Sequence, residues 1–158
     1  MHRLRHIDSA AGQLFVAIGM HDIAAQNPPP VAELLAYQAT ARAWVAAGAD
    51  ARAMAYMVVD QVDGCAHVEQ LSVHPEVARQ GIGARLLDTA AAYAAAEGLV
   101  GLTLLTFRKV AWNQPYYERL GFRPLPDNEL GPGLSALRDA EPAKGLDPAQ
   151  RVCMRRDV

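Results

Sequence analysis

The segment that most limits how this chain can fold covers residues 73–87 and reads VHPEVARQGIGARLL. An apolar strand leads into a short polar loop, two glycines follow one residue apart, and a helix begins there. This order puts a row of main-chain N–H groups at a helix N-terminus, where the helix dipole favours an anion. Gly81 and Gly83 permit positive φ and close approach of a ligand. The segment therefore predicts a loop that binds a pyrophosphate.

Two common phosphate-binding motifs do not fit this loop. A Walker A loop needs a Gly-Lys pair followed by Ser or Thr, and the chain has no such pair. The dinucleotide fingerprint needs Gly or Ala three residues after its second glycine, where this chain has Leu86. The mismatch to both motifs argues against the commonest kinds of ATP and NAD site. A third class of ligand that contains a pyrophosphate therefore has to be considered.

The composition predicts a single domain and argues against several classes of partner. A chain of 158 residues, 51% of them hydrophobic, is long enough for one domain with a real core, spanning residues 1–158. The net charge of −2 gives no basic footprint for nucleic acid, and the histidines show no metal-binding spacing. Cys65 and Cys153 form no CxxC motif, which favours a reduced, cytoplasmic setting. The apolar run at residues 14–20 is too short to cross a bilayer, so we expect no membrane partner.

Hydrophobic periods and turn residues predict a mixed α/β fold. The predicted strands cover residues 3–7, 43–47, 53–59, 65–73, 102–107, 122–125 and 152–155. The predicted helices run from Asp8 or Ser9 towards Ala25, then over residues 31–40 and 83–97, from Asn113 to Gly121, and over residues 134–140. The last helix lies in a connection, residues 126–150, that is too long for a plain loop. This order predicts a mixed sheet with helices on both faces.

A second motif lies at residues 102–122, which read LTLLTFRKVAWNQPYYERLGF. A buried type of strand is followed by a helix that carries Asn-x-x-x-Tyr, at Asn113 and Tyr117, and by a Leu-Gly-Phe turn. The interval from Gly83 to Tyr117 suits one helix and one strand. Together the two motifs resemble the GCN5-related N-acetyltransferase (GNAT) superfamily, and within it the generic bacterial amine acetyltransferases. The resemblance is strongest over residues 53–122.

This resemblance implies the acyl-CoA N-acyltransferase fold, with a mixed sheet of six to seven strands, and acetyl-CoA as co-substrate without a metal. The family loop begins with Gln or Arg, but this chain has Ala78 there, so one side-chain contact is lost or passes to Arg79. The implied cofactor site comprises the end of the preceding strand, the loop and one residue of the second motif. Its members are Leu71, Ser72, Val73, Arg79, Gln80, Gly81, Ile82, Gly83, Ala84 and Asn113.

The resemblance also implies an acid and a base. Tyr117 occupies the position of the family's general acid; the structural alternative is a core tyrosine. His67 and Glu69 are two residues apart, so on a regular strand they face the same way. They align with the two histidine positions of the arylalkylamine acetyltransferases, which makes either one a candidate base, acting directly or through water. A half-buried histidine and a solvated glutamate are the alternatives.

The implied reaction is direct transfer of acetyl from acetyl-CoA to a primary amine of a small molecule or peptide. A catalytically silent acyl-CoA sensor of the same fold is an alternative, because Ala78 departs from the family loop. A nucleotide-binding domain that uses the same glycines is another. By analogy, the first two helices and residues 126–150 would form the acceptor site, lined by Tyr37, Phe107 and Glu129. A homodimer formed through the last strands is compatible with the resemblance.

Overall fold

The computed structural model describes all residues from 1 to 158, which fall into two compact units. The first unit comprises residues 1–59 and 70–88, and the second comprises residues 60–69 and 89–158. The chain therefore passes from one unit to the other within two strands and one helix, and each unit is described by itself below.

Six strands form one mixed sheet. They are β1 Ala43–Ala47, β2 Ala53–Val62, β3 Cys65–Val73, β4 Gly101–Phe107, β5 Arg123–Pro124 and β6 Arg151–Asp157. Their order in the sheet is β1-β2-β3-β4-β6-β5. β3 and β4 are parallel, whereas the pairs β1–β2, β4–β6 and β5–β6 are antiparallel. The predicted mixed sheet of six to seven strands is thus confirmed with six.

Six α-helices accompany the sheet, with short 3₁₀ turns between them. They are α1 His2–Gly12, α2 His21–Ala24, α3 Val31–Ala39, α4 Ile82–Ala96, α5 Gln114–Arg119 and α6 Pro132–Ala140. α3 begins directly after Pro30, and α4 ends two residues before Gly98, whose φ is +70°, as helix punctuation predicts. No helix combines the length and apolar character that crossing a bilayer requires.

The prediction for the N-terminus was wrong. Residues 3–7, expected as a strand, lie in α1. The helix expected to begin at Asp8 or Ser9 begins at His2 instead. The physical reason is the spacing of the apolar residues. Leu4 and Ile7 are both buried, and residues three apart share a face of a helix but lie on opposite faces of a strand.

The core of the first unit forms where α1 and α3 meet the sheet. Its buried members come from both helices and from β2: Leu4, Ile7, Leu34, Tyr37, Tyr56 and Val58. Full burial of one large apolar side chain stabilises a fold by about 1.5–3 kcal/mol. This cluster is therefore enough to hold the N-terminal helices on β2.

In the second unit, a hairpin turn anchors the helix of the long connection. Asp63 and Gly64 both have positive φ, +49° and +74°, as the two-residue turn between β2 and β3 requires. The Asp63 carboxylate accepts hydrogen bonds from the N–H groups of Gly133 (2.9 Å) and Leu134 (2.8 Å). It therefore caps α6 from seventy residues away, because Gly131 at the N-cap has no side chain to do so.

Candidate active site

The loop before α4 has the backbone conformation of an anion-binding nest. Arg79 and Gly81 have φ of +63° and +73°, and both are exposed. The Arg85 N–H donates to the Gly81 carbonyl (3.1 Å), which is the first bond of the α4 ladder. The N–H groups of residues 82–84 precede that bond and have no partner within the helix. The loop and the helix start thus present main-chain donors to an anion.

Arg79 is the only charged side chain in residues 78–84, and its positive φ is unfavourable for any residue other than glycine. A non-glycine residue in the left-handed region costs about 1–2 kcal/mol. The guanidinium forms no ion pair or side-chain hydrogen bond with the rest of the chain. Ala78, its exposed neighbour, offers only a methyl group. Arg79 is therefore the side chain available to a phosphate here.

At the end of β3, the Ser72 side chain is engaged within the protein. Ser72 is 2% exposed, and its hydroxyl donates to Asp8 Oδ1 (2.8 Å) and accepts from Gln70 Nε2 (2.8 Å). The same Asp8 oxygen accepts from Gln70 Nε2 (2.7 Å) and Tyr56 OH (3.2 Å). Burial raises the pKa of Asp8, although the Ser72 and Tyr56 hydrogen bonds oppose that rise. Only the main chain of Ser72 remains for a ligand.

The ladder between β3 and β4 is short. It joins Ala66 to Leu102 and His67 to Thr103. The residues expected to meet the thioester, Leu71, Ser72 and Val73, lie beyond this paired stretch of β3.

His67 and Glu69 come together on β3, as their spacing predicts, but in different surroundings. His67 is 2% exposed, and its Nδ1 lies 3.0 Å from Thr103 Oγ1. Burial lowers the pKa of His67 to about 4, against the opposing charges of Asp60 and Asp63, so the imidazole is neutral at physiological pH. Its Nε2 lies 3.7 Å from Glu69 Oε2, and the Glu69 side chain is one-third exposed.

Asn113 occupies the N-cap position of α5, but its side chain forms no capping hydrogen bond. Its Oδ1 instead accepts from Thr106 Oγ1 (2.7 Å) and from the Phe107 N–H (3.3 Å). A main-chain N–H can only donate, so the carboxamide oxygen must face it and the NH₂ group faces away. That NH₂ group has no partner within the chain. Asn113 therefore offers two donors held in a fixed direction.

Tyr117 combines a packed ring with an unpaired hydroxyl. Its half-buried ring meets Phe122 and Tyr116 edge-on, with centroids 5.6 and 5.4 Å away. The hydroxyl forms no hydrogen bond with another group of the chain. Burial, and secondly the neighbouring Tyr116, raise the pKa of Tyr117, while Arg151 opposes them. The phenol is therefore protonated at physiological pH and can donate a hydrogen bond.

The residues expected to line the acceptor site by analogy are all engaged elsewhere. Tyr37 belongs to the core of the first unit. Phe107 is 6% exposed beneath the Arg151 guanidinium, which lies 4.5 Å from its ring centroid. Glu129 pairs with Arg123 at 2.8 Å. Sequence reasoning also missed the Asp8 cluster, because its partners lie 48 to 64 residues away along the chain.

Comparison with known families supports a chemical interpretation of these features. The model of a family described as "Acetyltransferase (GNAT) family" matches residues 11–122, which is more than half of the chain. The match includes the loop before α4, both candidate bases, Asn113 and Tyr117.

Several solved structures share the fold at low sequence identity. An acetyltransferase of the GNAT family from Staphylococcus aureus Mu50 is 17% identical, with a TM-score of 0.58 over 73% of this chain and 66% of that one. N-acetylglutamate synthase from Neisseria gonorrhoeae, complexed with coenzyme A and N-acetyl-glutamate, is 17% identical, with a TM-score of 0.65 over 82% and 28%. Chaetomium thermophilum Naa20, in complex with a bisubstrate analogue, is 18% identical, with a TM-score of 0.63 over 84% and 75%. The chain thus spans less than two thirds of the first two structures.

Proposed function

The chain belongs to the Acetyltransferase (GNAT) family, and we propose that it transfers acetyl directly from acetyl-CoA to a primary amine of a small molecule or peptide. The observation that carries this proposal is the loop in which Arg79 and Gly81 have positive φ. This loop continues into the start of α4, where main-chain N–H groups are available as donors. Such a loop suits the pyrophosphate of coenzyme A without needing any particular side chain.

Cofactor binding in this proposal rests mainly on the main chain. The N–H groups of residues 79–84 donate to the pyrophosphate oxygens, and the unpaired Arg79 guanidinium adds a positive charge. The main chain of Leu71, Ser72 and Val73 meets the pantetheine and the thioester. The free NH₂ group of Asn113 donates to a carbonyl or phosphate oxygen of the cofactor.

The amine must lose a proton before it can attack the thioester. An alkylammonium has a pKa of ~10.4, so only about one molecule in a thousand or fewer is nucleophilic at neutral pH. Glu69 is the favoured base, acting directly or through water, because its carboxylate reaches solvent. His67 is disfavoured because it is almost fully buried, whereas the Glu69 side chain is one-third exposed.

The amine nitrogen then forms a bond to the acetyl carbonyl carbon, and the carbon–sulfur bond breaks. A main-chain N–H at the end of β3 would stabilise the developing oxyanion, a contribution of roughly 3 kcal/mol in comparable sites. The coenzyme A thiol has a pKa of ~8.5, and the leaving thiolate takes its proton from the Tyr117 hydroxyl, which regains a proton as the amide nitrogen loses its second one. No covalent enzyme intermediate is needed.

Thiol release from acetyl-CoA, measured with a panel of amines, tests this proposal. We expect amine-dependent release, and we expect Glu69→Gln to lower kcat/KM by about 100-fold or more. His67→Gln serves as the comparison, with a smaller effect on kcat once the variant is shown to be folded. Tight binding of acetyl-CoA with no amine-dependent release would instead favour a silent acyl-CoA sensor, for which Ala78 is the motivation.

A further inference from the structure

The second unit contains a cavity of about 240 Å³ between the sheet and the connection of residues 126–150. Its apolar wall comes from β4, the residue after β5, the connection and β6: Leu105, Leu125, Leu130 and Val152. Pockets for drug-sized ligands measure about 300–1,000 Å³. This cavity therefore suits a smaller molecule with a short apolar body.

Three arginines and one aspartate provide the charges that line this cavity. Arg138 is paired with Asp127 at 2.6 Å, and more weakly with Asp139 at 3.4 Å. Arg151 is paired with the buried Glu141 at 2.6 Å. Arg108, in contrast, forms no side-chain hydrogen bond or ion pair with another residue of the chain. Once these pairs are taken into account, the cavity lining has one uncompensated positive charge, on Arg108.

The main chain holds Arg108 at this site while its side chain is exposed. The Arg108 N–H donates to the Gln150 carbonyl at 2.8 Å, which joins the end of β4 to the end of the connection. The preceding residue, Phe107, donates its own N–H to Asn113, the proposed cofactor contact. Arg108 therefore directly follows Phe107, whose N–H is bound by the Asn113 side chain.

We propose that this cavity binds the carboxylate of the acetyl acceptor, with Arg108 as the residue that recognises it. The acceptor would then be an amine that also carries a carboxylate and a short apolar body, as an aliphatic amino acid does. A guanidinium can hold a carboxylate by two parallel hydrogen bonds, and the apolar wall covers the rest of the molecule. This inference rests on the proposed acetyl transfer.

Calorimetry with matched pairs of ligands tests the inference. Aliphatic and aromatic L-amino acids and their amides, for example leucine and leucinamide, are titrated separately into the wild-type protein, Arg108→Gln and Arg52→Gln. The affinities of each acid and its amide are then compared. Arg52 is an exposed arginine that does not line the cavity. We expect at least one acid to bind about 10-fold or more tightly than its amide, and Arg108→Gln alone to remove that preference.

The absence of an acid preference throughout the panel, or its persistence in Arg108→Gln, would overturn the inference. Thiol release then separates it from the proposed function: amine-dependent release without any acid preference leaves the function standing and removes only this inference. A carboxylate without an amine, 4-methylpentanoate, should inhibit acetylation of the amino acids competitively. Binding that does not compete would contradict the assignment of the cavity to the acceptor.

Discussion

The loop at residues 79–84 and the segment at residues 106–117 both offer donors to a ligand, but they do so by opposite means. The loop presents main-chain N–H groups whose direction depends on two residues with positive φ. The segment presents side chains, the Asn113 carboxamide and the Tyr117 hydroxyl, held by their neighbours. A main-chain site keeps its donors when a side chain is changed, unless the change alters φ. A side-chain site loses its donor when a single polar atom is removed.

The largest effect should come from the side-chain region, with Tyr117→Phe. The ring contact with Phe122 is retained, and only the unpaired hydroxyl is lost. Because general acid catalysis contributes about 100-fold or more, we expect kcat to fall by at least that factor, with little change in acetyl-CoA affinity. Steady-state kinetics measure both. Tyr116→Phe is the matched control, and equal losses in the two variants would remove Tyr117 from the chemistry.

The next effect should come from Asn113→Asp. Aspartate can still accept from Thr106 and the Phe107 N–H, but it has no NH₂ group and adds a negative charge. We expect acetyl-CoA to bind about 10–30-fold more weakly, with the free energy of unfolding almost unchanged. Calorimetry and urea titration measure these two quantities. Asn128→Asp, at an exposed position, adds the same charge and should leave the affinity unchanged.

A smaller effect is expected for Gly81→Ala in the main-chain region. The space around a Cβ at this position is open, so the cost is that of the positive φ alone, about 1–2 kcal/mol. We expect acetyl-CoA affinity to fall by about 10-fold as the loop relaxes. Gly98→Ala is a matched control, since that glycine also has positive φ and an open Cβ position. It should lose the same stability without losing affinity.

The smallest effect is expected at Arg79, where charge and conformation can be separated. Arg79→Gln removes the charge but keeps the conformational penalty of positive φ. Arg79→Gly removes the charge and that penalty as well. We expect both variants to bind acetyl-CoA about 3-fold more weakly, and Arg79→Gly to be more stable by about 1 kcal/mol. A loss above about 30-fold in both would mean that this side chain, not the main chain, dominates binding.

Local signals in the sequence predicted much of the fold. Pro30, the Asp63-Gly64 turn and Gly98 each fix a boundary through their own backbone preferences, and the structure has those boundaries. The N-terminus was misjudged because a five-residue segment suits either period. Only the burial of Leu4 and Ile7 on one face decides for a helix.

Contacts between distant residues could not be predicted in this way. The cap that Asp63 supplies to α6 joins groups about seventy residues apart. The Asn113 side chain turns away from its own helix because Thr106 and Phe107, on the preceding strand, offer better-placed donors. The candidate residues themselves follow from the motifs, whereas their partners depend on tertiary packing.

The main-chain nest at residues 79–84 is the central claim, and amide NMR of the ¹⁵N-labelled protein tests it most directly. Coenzyme A and pantetheine are titrated into the protein in separate experiments. Pantetheine has the same thiol arm as coenzyme A but lacks the pyrophosphate. We predict that the N–H resonances of Gly81, Ile82, Gly83 and Ala84 shift strongly with coenzyme A and hardly at all with pantetheine. Equal shifts with both ligands, or none with coenzyme A, would contradict the claim.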